Sequence, residues 1–128
     1  MTEVNSRTVK EMTPDDMLSY FHDRYDSVSV PEQIEFNDFG RIEQMIAFFA
    51  NERGFLNYML SLLDIECRRY KANKEKESYD LAVCKKTIVK AYIESMDIMN
   101  KAVSRMITVY QMEKEELKEE NRISNIAV

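Results

Sequence analysis

The chain has 128 residues, of which 45% are hydrophobic and 32% charged, a composition typical of a globular protein and not of a disordered one. The net charge of −5 is uneven, because residues 1–64 carry 5 Lys and Arg against 12 Asp and Glu, whereas residues 65–128 carry 13 against 11. With only 2 Gly and 2 Pro, long uninterrupted helices are favoured.

The first elements are an arm and a short helix. Residues 1–12 show no periodicity, and we predict a flexible N-terminal arm there. Thr13 can cap a helix whose first position suits Pro14, and the acidic residues Asp15 and Asp16 favour the positive end of its dipole. The sequence therefore predicts helix A over about residues 14–25, followed by extended chain over residues 27–37.

Two long helices account for most of the remaining sequence. Apolar residues at helical spacing predict helix B over about residues 38–72 and helix C over about residues 79–121. Asn73 can take a left-handed closing conformation, and Ser78 can cap the helix that follows. Residues 123–128 are expected to fray, so residues 13–122 form one helical domain.

The apolar pattern of helix B mirrors that of helix C. With a turn between Glu75 and Lys76, residues whose numbers sum to about 151 or 152 face each other. The facing pairs are Tyr70 with Leu81, Cys67 with Cys84, Leu63 with Ile88, Leu60 with Tyr92, Leu56 with Met96, Phe49 with Val103, Ile46 with Met106 and Ile42 with Tyr110. We predict an all-α fold, an antiparallel coiled-coil-like hairpin with the short helix packed on it. One continuous helix paired with a second copy remains an alternative.

A second apolar stripe lies off this seam. Its members are Phe48, Phe55, Met59 and Leu62 on helix B and Val89, Ile93 and Ile107 on helix C. Helix A can cover only part of this stripe, and apolar patches of this size are unusual on monomers. We therefore expect a homo-oligomer or a protein partner to cover the remainder.

Residue types that carry enzymatic chemistry are few. His22, the single histidine, has Asp26 one turn on and is interpreted as a surface residue. Cys67 and Cys84 are interpreted as small core residues, because facing helices hold Cα atoms farther apart than a disulfide prefers. No phosphate-binding loop, nucleophile elbow or zinc motif is present. We expect no catalytic residue, metal or cofactor, no membrane partner, and a cytoplasmic location, since no apolar run reaches the ~20 residues that span a bilayer.

Two charged surfaces give the candidate binding residues. The acidic first half, with the apolar stripe, predicts a protein-binding surface of Asp15, Asp16, Asp23, Asp26, Glu32, Glu35, Phe48, Phe55 and Met59. The hairpin tip carries basic residues interleaved with tyrosines, namely Arg68, Arg69, Lys71, Lys74, Lys76, Lys85, Lys86 and Lys90. Such a mixture suits single-stranded nucleic acid.

The expected function is a non-enzymatic interaction protein, such as an adaptor, assembly factor or inhibitor of a larger complex. The alternative is an accessory single-stranded nucleic-acid-binding protein that uses the basic tip in an oligomer, where weak contacts add by multivalency.

Overall fold

The computed structural model describes residues 4–28 and 39–126, of which 91% are helical and none lies in a strand. The helices are, in chain order, α1 (Ser6–Glu11), α2 (Pro14–Tyr25), α3 (Phe39–Ala72) and α4 (Lys76–Ile126). α3 and α4 pack against each other, α2 packs on α4, and α1 packs on α3. The prediction of an all-helical hairpin of two long helices is confirmed.

The chain reverses through a tight turn between α3 and α4. The N–H of Glu75 donates to the carbonyl of Tyr70 at 2.9 Å, and the N–H of Lys74 donates to the carbonyl of Lys71 at 3.3 Å. These two bonds form a Schellman motif, which satisfies carbonyls left free at the end of α3. The residue in the left-handed conformation is Lys74, with φ of 59°, and not Asn73 as predicted.

α4 begins directly after this turn. The N–H of Tyr79 donates to the carbonyl of Glu75 at 2.9 Å, so the first helical residue is Lys76, three positions before the predicted start. The alternative of one continuous helix through this region is therefore wrong. At the other end α4 continues to Ile126, beyond the expected fraying point at residue 123.

The core follows two rows of residues spaced seven apart. On α3 and α4 these rows are at most 3% exposed, and they comprise Ile42, Phe49, Leu56, Leu63, Ala82, Val89, Met96 and Val103. Two ion pairs cross the hairpin, from Arg53 to Asp97 at 3.1 Å and from Lys86 to Asp64 at 2.6 Å. The residue numbers of each pair sum to 150, which is close to the predicted register.

The face of α4 that is buried near the tip differs from the prediction. Leu81 is 53% exposed and Cys84 is also exposed, whereas their neighbours Ala82 and Lys85 are buried. Cys67 is buried, so the two cysteines do not share the core as expected. The physical reason is that α1 and α2 pack against one side of the hairpin, and Lys85 and Val89 lie on the face of α4 that is buried there.

α2 is placed by its cap and by an aromatic cluster. The side chain of Thr13 accepts from the N–H of Asp16 while the Asp16 carboxylate accepts from the N–H of Thr13, which explains the start at Pro14. Phe21 is fully buried, and its ring centroid lies 4.8 Å from that of Tyr92 on α4. The ring centroid of Tyr25 lies 5.6 Å from that of Tyr92, so packed aromatic side chains hold α2 on the hairpin.

The prediction of a flexible arm over residues 1–12 is wrong for the part that forms α1. Asn5 caps this helix by accepting from the N–H of Thr8, and Val9 is fully buried against the hairpin. Lys85 donates from Nζ to the carbonyl of Val9 at 3.0 Å and to that of Lys10 at 3.4 Å. A buried ammonium therefore neutralises carbonyls at the C-terminal end of α1.

Candidate interaction surfaces

The acidic residues of α2 form a solvent-exposed face. Asp15, Asp16, Asp23 and Asp26 are all exposed, and Leu18 lies among them with 46% of its surface exposed. His22 is exposed and lies 3.8 Å from Asp26. Glu32 and Glu35, predicted for the same surface, lie outside the described residues. The face is thus composed of carboxylates around one apolar side chain.

A partly buried polar cluster fixes the acidic face relative to α3. The guanidinium of Arg24 donates to both carboxylate oxygens of Glu52, at 2.7 and 3.0 Å, and the hydroxyl of Tyr25 donates to the same carboxylate at 2.7 Å. The hydrogen bond that Arg24 donates to Glu52 raises the pKa of Arg24. Burial is the largest cause that raises the pKa of Tyr25, and its hydrogen bond to Glu52 is the next. Such bidentate pairing holds α2 in one orientation.

The three apolar candidates on α3 have different environments. Met59 is fully buried in the core, so it is not available to a partner in this fold. Phe55 is half-buried, because the guanidinium of Arg24 lies 4.2 Å from its ring centroid in a cation–π contact. Phe48 remains 36% exposed and is the one that a partner can reach.

Three of the eight basic residues expected at the tip are held by the protein itself. Lys85 is buried, and this burial lowers its pKa, although Glu66 and Asp16 act in the opposite direction. The hydrogen bond to Asp64 raises the pKa of Lys86. Arg69 lies 3.4 Å from the carboxylate of Glu66. Arg69 is nevertheless exposed, as are the other five residues, Arg68, Lys71, Lys74, Lys76 and Lys90.

The turn brings five of the tip side chains and one carboxylate around a shallow pocket of about 260 Å³. We call this the tip pocket, and it is lined by Tyr70, Lys71, Lys74, Glu75, Lys76 and Tyr79. The two tyrosines come from different helices, so only the folded hairpin brings them together. The sequence shows that both tyrosines lie near the tip, but their proximity in one pocket depends on the geometry of the turn.

Beneath the tip, α1 closes a smaller cavity of about 110 Å³ whose lining includes Glu66, Tyr70 and Lys85. Glu66 is 4% exposed, and its Oε2 has no hydrogen-bond partner among the described residues. Burial, followed by the charge of Glu66, raises the pKa of Tyr70. Sequence analysis missed Glu66 and the burial of Lys85, because charged residues on a helix are ordinarily solvated.

α4 extends well past the start of α3. Residues 111–126, which we call the C-terminal extension, are exposed throughout. Four large apolar side chains of the extension are more than half exposed, namely Met112, Leu117, Ile123 and Ile126. Val109, immediately before it, is 53% exposed. The extension also carries five glutamates against two lysines and one arginine.

Two features are absent from the described residues. Over residues 4–28 and 39–126, no three His, Cys, Asp or Glu side chains are grouped in a way that could hold a metal ion. In the same part of the chain, no helix is both long and apolar enough to cross a membrane. Comparison with known proteins finds no matching family model, no similar curated protein and no similar solved structure.

Proposed function

We propose that this chain is a non-enzymatic interaction protein, an adaptor, assembly factor or inhibitor, that binds another protein through the C-terminal extension and the acidic face of α2. The observation that carries the proposal is the exposure of Met112, Leu117, Ile123 and Ile126 on the extension. A helix of this length gains little stability from propensity alone, because most helical stability in proteins comes from packing an apolar face. Met112, Ile123 and Ile126 lie on one face of the extension, and an exposed apolar face of this kind is typical of a helix that a partner completes.

The pattern of the extension indicates the chemistry of that partner. Met112 and Ile123 are eleven residues apart, which is close to three helical turns, so they lie on one line of the surface. Glu116 and Glu119 lie between them on the same face. An amphipathic helix with apolar residues at its ends and basic residues at its centre would complement this face.

The acidic face of α2 supplies a second contact for a cationic surface. Asp23 and Asp26 are exposed, and the Arg24–Glu52 pair holds their helix in place. Fixed carboxylates of this kind raise association rates with basic partners more than they raise affinity. Reversing both to Lys should therefore slow association, and an unchanged rate would remove this face from the proposed function.

Site-specific cross-linking tests the main proposal. A photoreactive residue in place of Ile123, which is 56% exposed on the proposed face, should yield one discrete cross-linked species, whereas the same residue in place of Tyr58, which is 48% exposed on α3, should not. Glu116→Lys with Glu119→Lys should abolish the product, and Glu77→Lys with Glu94→Lys, a matched reversal elsewhere on α4, should preserve it. Equal labelling at both positions, or none at Ile123, would contradict the proposal.

A second copy of the chain is one candidate occupant of the extension. A cross-linked product of twice the mass, together with a dimer in light scattering, would identify the partner as this chain itself. A product of any other mass would identify a different protein, whose sequence mass spectrometry can then provide.

A further inference from the structure

The tip pocket is lined by two tyrosines and three lysines. Its volume of about 260 Å³ is open to solvent, and Tyr70 and Tyr79 line it from opposite helices. An aromatic ring beside a shallow opening is suited to stacking with a planar group, and nucleic-acid bases are the planar groups that proteins most often bind in this way.

The lysines of the pocket are free to bind an anion. In the part of the chain that the structure describes, Lys71, Lys74 and Lys76 are exposed and take part in no ion pair, whereas Lys86 pairs with Asp64 and Lys85 is buried against two carbonyls. Among residues 4–28 and 39–126, Glu75 is the one acidic residue that lines the pocket. The local charge is therefore positive although the chain as a whole carries −5.

The backbone of Lys74 gives a third, independent observation. Its φ of 59° lies in the left-handed region, where glycine is unstrained and a lysine is not. The Schellman motif accounts for this conformation, but glycine is the usual residue at this position, so the turn itself does not require a lysine. At Lys74, the side chain adds one of the three positive charges around the pocket.

We propose that the hairpin tip binds single-stranded nucleic acid, with a base stacked on the tyrosines and neighbouring phosphates held by the three lysines. A single strand fits better than a duplex, because the bases of a duplex are stacked on each other and cannot enter the pocket. It also fits better than a membrane surface, because none of the described residues that line the pocket has a large aliphatic side chain. The site is separate from the surfaces assigned to the protein partner.

The expected binding is weak and strongly dependent on salt. Three phosphate contacts to a single strand correspond to a slope of about −2 in a plot of log affinity against log salt concentration. The affinity should therefore fall about fourfold for each doubling of salt. Anisotropy of a labelled oligothymidylate of about eight nucleotides, a length typical of small single-strand sites, measures this directly.

Four variants separate the contributions of charge and stacking. Lys71→Gln with Lys76→Gln should weaken binding by about tenfold or more and reduce the steepness of the salt dependence. Tyr79→Leu should cause a similar loss of affinity with an unchanged salt slope, and Tyr79→Phe should retain affinity. Lys114→Gln with Lys118→Gln on the extension removes the same charge elsewhere and should have no effect. Circular dichroism confirms that each variant is folded.

Lys74→Gly gives the sharpest test, because it should change stability and binding in opposite directions. Glycine relieves the left-handed backbone, so the melting temperature should rise, while the loss of one phosphate contact should weaken binding severalfold. Three results would overturn the proposal: no saturable binding at low salt, equal losses in the control variant, or binding to phosphatidylserine vesicles without binding to the oligonucleotide.

Discussion

Among single residues, Lys85 has the environment most unlike that of an ordinary surface lysine. It is 7% exposed, donates to two carbonyls of α1, and lies close to the buried carboxylate of Glu66. We expect Lys85→Met to lower the free energy of unfolding by about 2–3 kcal/mol, because the variant leaves buried carbonyls and a buried carboxylate uncompensated. Urea unfolding measures this free energy. As a control, Lys90→Met, which changes an exposed lysine, should change the free energy of unfolding by less than about 0.5 kcal/mol.

Tyr25 makes stability depend on alkaline pH. Its pKa is raised by burial and by Glu52, so above about pH 10 the tyrosine ionises in the unfolded chain before it does so in the folded one. The contribution of Tyr25 is therefore fully present at neutral pH and is lost as the pH rises. Tyr25→Phe should lower the free energy of unfolding by about 1 kcal/mol at neutral pH. It should also make the decline of that free energy at alkaline pH less steep. Thermal melts from pH 8 to 11 test this, with Tyr58→Phe as the exposed control.

Residue-scale features differ in how far the sequence predicts them. The cap at Thr13 is local, and its partner Asp16 lies three residues away, so it can be recognised without a structure. The burial of Lys85 depends on carbonyls 75 and 76 residues away, which no local pattern reveals. The tip pocket has the same limitation, because the position of each tyrosine depends on the turn.

At the scale of helices, Gly54 is a correctable weakness of α3. A Cβ built on it meets no atom within 4 Å, and its backbone is helical. Gly54→Ala should therefore raise the free energy of unfolding by about 0.5–1 kcal/mol, because alanine loses less backbone entropy on forming a helix. Ala50→Gly, at an exposed position one turn earlier, should lower it by a similar amount. A loss of stability in Gly54→Ala would show that the position is packed in solution.

The short helix α1 shows where periodicity fails as a predictor. Six residues make fewer than two turns, which is too short for an apolar repeat to be recognised. A single buried residue, Val9, anchors the helix, and its other support comes from Lys85 on α4. The two long helices have many turns, so their apolar repeat can be recognised in the sequence.

For the whole molecule, the register of the hairpin was predictable but the buried face of α4 near the tip was not. Mirrored apolar spacing gives the register, because each turn of α3 must meet an apolar turn of α4. Near the tip, the rows through Leu81 and through Ala82 are both apolar, and the choice between them depends on the packing of α1 and α2. Oligomeric state remains a prediction, because it depends on surfaces of two molecules.

Paired substitutions test the buried rows. Leu56→Ala removes a fully buried side chain and should cost about 2–5 kcal/mol, the usual range for a leucine cavity in a core. Leu81→Ala removes a side chain that is 53% exposed and should cost much less. Chemical denaturation of both variants measures the difference, and equal losses would mean that Leu81 is packed in the core as the sequence had predicted.

The turn at Lys74 also has a consequence for the order of folding. Facing residues are close in sequence near the turn and distant at the open end, with Leu63 and Val89 separated by 26 residues and Ile42 and Tyr110 by 68. Closing the longer loop costs about 0.8 kcal/mol more in chain entropy, so contacts near the turn are the least costly to form first. We expect contacts between α3 and α4 to form first near the turn and then progressively towards the open end of the hairpin. Stopped-flow measurements should then show Lys74→Gly accelerating folding, whereas Ile42→Val mainly accelerates unfolding.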